Sequence, residues 1–226
     1  MAAFNIDMDK YRVVDLSWEL VPDASENRYF ELEKDLLGDD CFFYHVKTHT
    51  HVGCHVEVGS HYAETWPGVT DYPVTAFMGR ALLLDVRNVD ETPDVTPEYL
   101  EQELGDLIGE GDIVICRNSD AESWAGRKPR PSITPAAAQW LAEHRVKMLG
   151  IDSTPNPDGE ATFPLGRGKV NGRKVHDIFI GAGGTFVEFL VDLDQIDHKE
   201  FYFMALPFKA QGIDSSWCRA IAIVER

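Results

Sequence analysis

Short apolar runs separated by polar and glycine-rich stretches recur along this chain. Two of them, residues 11–17 (YRVVDLS) and 41–48 (CFFYHVKT), are rich in β-branched and aromatic side chains, which favour strands. Further short runs are bounded by polar breaks, a pattern typical of buried strands. These runs cover residues 80–86, 112–116, 146–151, 185–191, 200–208 and 218–224. The pattern therefore predicts strands along much of the chain.

Two helices are predicted where a threonine precedes a proline. Thr96-Pro97 begins one helix that runs to about Leu104, and Thr134-Pro135 begins another that runs to about His144. In each pair the threonine can cap the first turn, and proline suits the first helical position. The order of strands, helix, strand, helix and then strands predicts an α/β chain with a mixed sheet. A strictly alternating, doubly wound sheet would need a different order.

Residues 154–174 (TPNPDGEATFPLGRGKVNGRK) form a long stretch rich in proline, glycine and asparagine. Such a length is unusual for a simple connection in a compact domain, which favours a functional loop. A plain surface loop is the alternative reading. Within it, Arg167, Lys169, Arg173 and Lys174 form a basic cluster that could hold a substrate carboxylate, or could simply be solvated.

Composition and charge limit the classes of partner. The 226 residues suit one domain, residues 1–226, and the net charge is −17, from 38 acidic and 21 basic side chains. Nucleic acid and anionic membranes are therefore not expected as partners. No stretch has the roughly 20 apolar residues of a membrane helix, and no secretory signal is expected at the start. The four cysteines form no CxxC pair, so a cytoplasmic location is expected.

The histidines are concentrated in one segment. Five of the eight lie between residues 45 and 61, and the segment contains His51, His55, Glu57 and His61. Imidazole and carboxylate together are common ligands of zinc, manganese or iron. In an extended chain these four positions face one side, whereas Cys54 faces the other and is expected to pack. A histidine-rich face of an exposed strand, without a metal, is the alternative.

A second signal lies far along the chain. Glu188 stands in the apolar run FVEFLV, where a carboxylate is costly unless a cation or a hydrogen-bond donor meets it. His176 precedes it by 12 residues, ahead of the glycine-rich turn at residues 181–184. His176 and Glu188 could therefore complete a metal site with the histidine segment. Pairing of Glu188 with an arginine, and simple exposure of His176, are the alternatives.

These residues together resemble a known family. The HxGxHxE segment with His61, the GIDSTP stretch at 150–155, the His176–Glu188 spacing and ALP at 205–207 are similar to the cyclase-type metal-dependent hydrolases. That family includes bacterial kynurenine formamidases and isatin hydrolases. The resemblance extends from DLS at 15–17 to RAIA at 219–222. Glu57 differs from the aspartate usual in the family, and residues 18–22 (WELVP) lack its usual Gly-Met-Pro pattern.

The resemblance implies a swivelling β/β/α fold with a mixed sheet or barrel-like core and flanking helices. It also implies a homodimer or homotetramer and a zinc or manganese site. It assigns His51, His55 and Glu57 to the first metal. It assigns His61, His176 and Glu188 to a second metal site, or to a proton-handling shell if one metal binds.

The expected activity is metal-dependent hydrolysis of an amide or lactam, or of an ester or lactone, in a small substrate. Metal-activated water attacks the carbonyl, and His61 moves the proton to the leaving group. An aromatic substrate is suggested by Trp18, Tyr29, Phe30 and Trp66, although core packing explains most of them equally well. Two alternatives remain open. One is a metal-dependent cyclase or lyase that acts through an enolate, and the other is a non-enzymatic metal-binding scaffold.

Overall fold

The computed structural model describes residues 7–22, 30–38, 41–87, 94–118, 131–152 and 171–226. The strands within these ranges are β1 (Tyr11–Asp15), β2 (Phe30–Leu37), β3 (Cys41–Thr48), β4 (His55–Glu57), β5 (Met78–Asp85), β6 (Asp94–Val95), β7 (Ile113–Arg117), β8 (Ser132–Ile133), β9 (Met148–Ile151), β10 (Thr185–Glu188), β11 (Glu200–Pro207) and β12 (Ser215–Glu225). The helices are α1 (Pro97–Leu104), α2 (Pro135–Glu143) and α3 (Asn171–Gly181). No helix in these ranges is long and apolar enough to span a membrane.

The main sheet closes on itself. Its strand order is β1-β12-β11-β5-β7-β9-β10-β4, and β4 also pairs with β12. The seven strands from β12 round to β4 therefore form a closed, barrel-like sheet, and β1 extends it beside β12. Strands β5, β7, β9 and β10 run parallel, whereas β11, β12 and β4 join through antiparallel pairs. The predicted mixed α/β fold with a barrel-like core and flanking helices is confirmed.

The parallel strands are buried on both faces, which explains their continuous apolar runs. Leu83 and Ile115 pack in the core cluster inside the barrel, whereas Leu82 and Val114 pack in a second cluster with the helices. Gly150 in β9 allows close packing, since a Cβ there would lie 2.3 Å from Ile115 Cδ1.

Both predicted helices begin at the expected residue. The Thr96 hydroxyl accepts from the Tyr99 backbone N–H at 3.4 Å, and the Thr134 hydroxyl accepts from that of Ala137 at 3.1 Å. Pro97 and Pro135 occupy the first helical positions. The capping argument from the sequence is therefore confirmed for α1 and α2.

Several elements differ from the prediction, among them the short strands β4, β6 and β8, which were not predicted. Strand β2 was not predicted because its sequence, FELEKDLL, is largely charged, and it forms a hairpin with β3. The predicted loop at 154–174 is wrong in its last four residues, which begin helix α3. Residues 154–170, with Arg167 and Lys169, lie outside the described residues.

Candidate metal centre

The histidine segment is a turn, a short strand and a second turn. Residues 51–54 form a bend, β4 covers only His55–Glu57, and a 3-10 helix follows at Gly59–His61. The extended conformation considered from the sequence is therefore present only at β4. Gly53 has a φ of +58°, a left-handed conformation that suits glycine and turns the chain before β4. The candidate side chains meet because the chain bends at both ends of this strand.

Strand pairing brings Glu188 to the histidine segment. β4 lies between β10 and β12, and the register sets His55 opposite Glu188 on one side and Trp217 on the other. His55 Nε2 lies 3.8 Å from Glu188 Oε2. The burial expected for Glu188 is confirmed, since it is 4% exposed. Two segments more than 100 residues apart in sequence thus meet across one pair of strands.

Glu57 lies at the centre of the cluster. Its Oε1 is 2.8 Å from His51 Nδ1 and 3.2 Å from His55 Nε2, and its Oε2 is 3.6 Å from His176 Nε2. His176 Nε2 is also 3.5 Å from Glu188 Oε1. The cluster therefore contains three imidazoles around two carboxylates, and Glu57 contacts both the β4 side and the α3 side.

The surroundings of Glu57 favour positive charge. Burial raises the pKa of this carboxyl, but hydrogen bonds from His51 and His55 hold it well below its ordinary value. Burial lowers the pKa of His51, but Glu57 and Asp214 raise it above its ordinary value. A proton or a metal cation can supply that positive charge.

The donor set fits a divalent cation. Buried Glu57 Oε2 has no hydrogen-bond partner among the described residues. In that part of the chain the ion pairs of Glu57 and Glu188 involve histidines, and no lysine or arginine. Two groups of side chains could each hold an ion: one is His51, Glu57 and His61, and the other is His55, Glu57 and Glu188. Within each group the ligand atoms lie within 4.8 Å of one another. Two buried carboxylates without a fixed cation are costly, which a divalent ion would relieve.

One ring nitrogen of His55 is already committed. Its Nδ1 donates to the Gly53 carbonyl at 2.8 Å, so Nε2 is the ring nitrogen that faces Glu57 and Glu188, and in the neutral ring this atom carries the lone pair. A backbone acceptor of this kind fixes the tautomer and orientation of metal-binding histidines. The turn at Gly53 therefore prepares His55 as a ligand.

A more exposed edge of the cluster contains His51, His61 and Asp214. Asp214 Oδ2 accepts from His61 Nδ1 at 2.6 Å and from His51 Nε2 at 3.1 Å. Burial raises the pKa of Asp214, but these two histidines hold it below its ordinary value. The sequence did not predict Asp214, which stands alone in GIDSS, 163 residues after His51. The pairing of β4 with β12, which begins at the next residue, brings it to the site.

Aromatic rings surround the candidate ligands. Phe189 stacks on His55 with centroids 5.7 Å apart, and Phe186 stacks on His176 at 4.4 Å. The Tyr62 ring lies 4.8 Å from that of His61 and 5.3 Å from that of His176. These are not the aromatics considered from the sequence. Trp66 lies beside Gly59 and Gly181, Phe30 belongs to the hairpin, and Tyr29 lies outside the described residues.

Cys54 takes no part in the cluster. It is 4% exposed in the apolar core, and its Sγ lies 3.6 Å from Cys218 Sγ. The packing role expected for Cys54 is confirmed.

The chain is similar in sequence or in fold to several known proteins. A kynurenine formamidase from Erythrobacter litoralis is 29% identical over 177 residues, 76% of this chain and 72% of the relative. Isatin hydrolase A from Labrenzia aggregata, solved with benzyl benzoate, has a TM-score of 0.75 at 22% identity and covers 96% of this chain and 94% of its own. A predicted metal-dependent hydrolase from Bacillus stearothermophilus has a TM-score of 0.69 at 20% identity, with 94% and 98% covered. These two structures share the fold. The Cyclase family model matches residues 14–158, and the chain therefore belongs to the Cyclase family.

Proposed function

We propose that this chain is a metal-dependent hydrolase that cleaves the C–N bond of a small amide or lactam. The observation that supports it best is the pair of buried carboxylates, Glu57 and Glu188, which lie among three histidines. In the described residues neither carboxylate forms an ion pair with a lysine or an arginine. The kynurenine formamidase relative and the isatin hydrolase neighbour, as named, act on bonds of this kind. Their names support the reaction class for this chain.

His51, His55 and Glu57 would hold the first divalent ion, zinc or manganese. His176 and Glu188 would complete the coordination or hold a second ion, since both lie near Glu57 or His55. Imidazole and carboxylate ligands suit either metal. When bound, such an ion lowers the pKa of water from about 15.7 toward about 7 and polarises a carbonyl.

His61 is the candidate proton carrier. Its side chain is about one-third exposed, whereas His55 is fully buried, so His61 can exchange protons with solvent. Asp214 accepts from its Nδ1, which fixes the tautomer and leaves Nε2 for proton transfer. His61 Nε2 takes a proton from the attacking water as the C–O bond forms and gives it to the leaving nitrogen as the C–N bond breaks, and the products are a carboxylate and an amine. Asp214 is a positioning residue because it acts through His61.

The rings near the ligands favour an aromatic substrate. Tyr62 contacts the rings of His61 and His176, and Phe189 contacts that of His55. Aromatic side chains recognise flat rings by stacking and by edge-to-face contact. An aryl formamide and a benzo-fused lactam are therefore the first compounds to test.

The experiment combines metal analysis with turnover. Wild type, His55→Ala and the control His198→Ala are purified, and metal is measured by elemental analysis. His198 is a suitable control because it lies at the surface beside Asp197. Each sample is assayed with an aryl formamide, isatin and an aryl ester. We expect wild type and the control to bind metal and to give products heavier by one water, and His55→Ala to lose both properties.

Three results would contradict the proposal. Full metal content in His55→Ala would remove His55 from the ligand set. Metal-replete wild type that turns over no compound of the panel would favour a binding scaffold. Products without added water would instead indicate a cyclase or lyase.

A further inference from the structure

Two cysteines face each other beside the candidate metal centre. Cys54 is the last residue of the bend before β4, and Cys218 lies on β12. The Cys218 backbone N–H donates to the Cys54 carbonyl at 3.0 Å, which continues the pairing of the two strands one step beyond His55 and Trp217. The two Sγ atoms lie 3.6 Å apart, although the residues are 164 positions apart in sequence. Strand pairing therefore holds two thiols in contact.

The backbone at this pair suits a disulfide. Directly opposite residues of an antiparallel pair have Cα atoms about 4.5–5.5 Å apart, and disulfides span about 4.4–6.8 Å. Opposite residues also project to the same face of a sheet, and both cysteines pack in the core inside the barrel. To form the bond, the two sulfur atoms need to approach by about 1.5 Å, from 3.6 Å to about 2.05 Å.

The other two cysteines are placed differently. Cys41 is exposed on β3, and Cys116 is buried in the cluster that packs with the helices. In the described residues, Cys54 and Cys218 are the pair whose thiols are in hydrogen-bond contact. We propose that Cys54 and Cys218 are a redox-sensitive modification site, at which a small disulfide of the glutathione type oxidises the two thiols to a reversible protein disulfide.

The reaction is thiol–disulfide exchange in two steps. Cys218 is the more exposed residue of the pair, whereas Cys54 is 4% exposed. The Cys218 sulfur loses its proton and attacks one sulfur of the small disulfide, and the other sulfur leaves as a thiolate that takes up a proton. The Cys54 sulfur then loses its proton and attacks the Cys218 sulfur, which releases the second small thiol. Two protein thiols thus lose two electrons and two protons, and the small disulfide gains them.

The environment of Cys218 makes this exchange slow. A hydrogen bond with the Cys54 thiol, together with burial, raises the pKa of the Cys218 thiol well above its ordinary value. Since the thiolate is the attacking species, little of the reactive form is present at neutral pH. A reducing compartment also keeps such pairs as thiols. The pair therefore responds to sustained oxidation, and excess small thiol reverses both steps.

The disulfide would act on the candidate metal centre through the bend before β4. Cys54 lies between His51 and His55, and Cys218 follows Asp214 by four residues. Metal sites hold their ligand distances to within about 0.2 Å, which is much less than the approach of the two sulfur atoms. Because part of that movement falls on the bend, we expect zinc to bind about 10–100-fold more weakly to the oxidised chain. This coupling rests on the proposed function, whereas the disulfide does not.

The first test identifies the bond. A Cys41→Ser chain, which lacks the exposed thiol, is the parent, and Cys54→Ser and Cys218→Ser are made in it. The reduced proteins are incubated overnight with oxidised glutathione. We expect the parent to fall from three free thiols to one and to lose two hydrogen atoms in mass, with a peptide map that links Cys54 to Cys218. Neither serine variant should form this link, and alanine replaces serine in a variant that does not fold by circular dichroism.

The second test measures zinc affinity by competition with a chelating dye. The reduced parent, the oxidised parent and the oxidised parent after treatment with dithiothreitol are compared. We expect the affinity to fall on oxidation and to recover on reduction. Cys218→Ser taken through the same incubation is the control, and its zinc affinity should not change.

Other outcomes would overturn the inference. Three free thiols in the parent after incubation would leave Cys54 and Cys218 as packed core side chains. A lasting mixed disulfide on Cys218 would show that Cys54 does not complete the exchange, and a link through Cys116 would place the bond elsewhere. Zinc affinity that is unchanged by the disulfide would overturn the coupling to the metal centre. A reduced parent that binds no zinc would instead contradict the proposed function and leave the disulfide standing.

Discussion

Glu57 has a longer side chain than an aspartate would have at this position, and both its oxygens face histidines. One oxygen faces the two histidines of its own segment, and the other faces His176 on α3. The additional methylene lets the carboxylate extend from β4 to both sides of the cluster. Glu57 is therefore the residue on which the candidate ligand set depends most.

Substitution of Asp214 tests whether this carboxylate positions His61. Asp214→Asn removes the charge that holds His61 Nδ1 but keeps the shape of the side chain. We expect kcat to fall about 10–100-fold, with KM and metal content little changed, because a carboxylate that orients a functional histidine by a hydrogen bond is worth about that much in activity. His61→Ala should keep metal and lose about 10²–10⁴-fold in kcat/KM.

The double variant decides how Asp214 acts. If Asp214 works through His61, adding Asp214→Asn to His61→Ala should cost almost nothing more. Multiplied losses in kcat, or loss of metal from Asp214→Asn alone, would contradict a positioning role and indicate a contribution through His51.

Single residues differ in how much of their role the sequence reveals. The spacing of His51, His55, Glu57 and His61 identified a candidate cluster, and the apolar neighbours of Glu188 indicated that it is buried. Asp214 left no such signal, because one aspartate in a turn has no periodicity and its partner residues are distant in sequence. Contacts that depend on strand pairing alone cannot be predicted from the local sequence pattern.

At the scale of elements, the sequence predicted the helices and strands whose formation depends on local side-chain preferences. The threonine–proline pairs gave α1 and α2, and the β-branched and aromatic runs gave most strands of the barrel. β2 was not predicted because its acidic sequence becomes a strand only through pairing with β3. β4 is too short for a period to be read, and α3 begins in a segment that resembles a loop.

Asp85, at the end of β5, accepts a hydrogen bond from Arg117 at the end of the parallel strand β7. It accepts from Arg87 Nη2 at 2.7 Å and from Arg117 Nη2 at 2.5 Å, and Arg117 also donates to the Leu193 carbonyl. Burial raises the pKa of Asp85, but the two arginines lower it from 3.8 to about 2. A lowered folded-state pKa contributes stability that is present above the unfolded value and lost as pH falls from about 4 to about 2.

We therefore expect Asp85→Asn to lower the free energy of unfolding by about 1 kcal/mol at pH 7, since partial exposure screens the pairs. The difference from wild type should shrink below pH 4. Urea unfolding at pH 7 and pH 3 measures it, with Asp106→Asn at an exposed site as control. An equal difference at both pH values would show that the carboxylate charge is not responsible.

At the scale of the whole molecule, the candidate ligands come from separate parts of the fold. The bend before β4, β4 itself, α3 and β10 each contribute, so a bound ion would tie together elements that are far apart in sequence. The mixed α/β class could be predicted from element order. Closure of the barrel could not be read from any periodic pattern, since it depends on three residue pairs between β4 and β12.

Metal binding should therefore stabilise the fold as a unit. With free metal at about 100 times its Kd, the free energy of unfolding should exceed that of the chelated protein by about 2.7 kcal/mol. Thermal unfolding with and without a chelator measures this as a fall in Tm. His55→Ala is the control, and its Tm should not respond. A wild-type Tm that does not change with chelator would contradict a site formed only in the folded state.

β4 is the shortest strand of the barrel, and it joins β10 and β12 through three residue pairs on each side. Without it the order from β12 through β10 remains continuous, so we expect that β4 can detach while the rest of the sheet stays paired. Opening would carry His55 and Glu57 away while Glu188 stays on β10. The rate at which a bound ion dissociates would then depend on how often this three-residue strand detaches. Even a tightly held ion can therefore exchange without global unfolding.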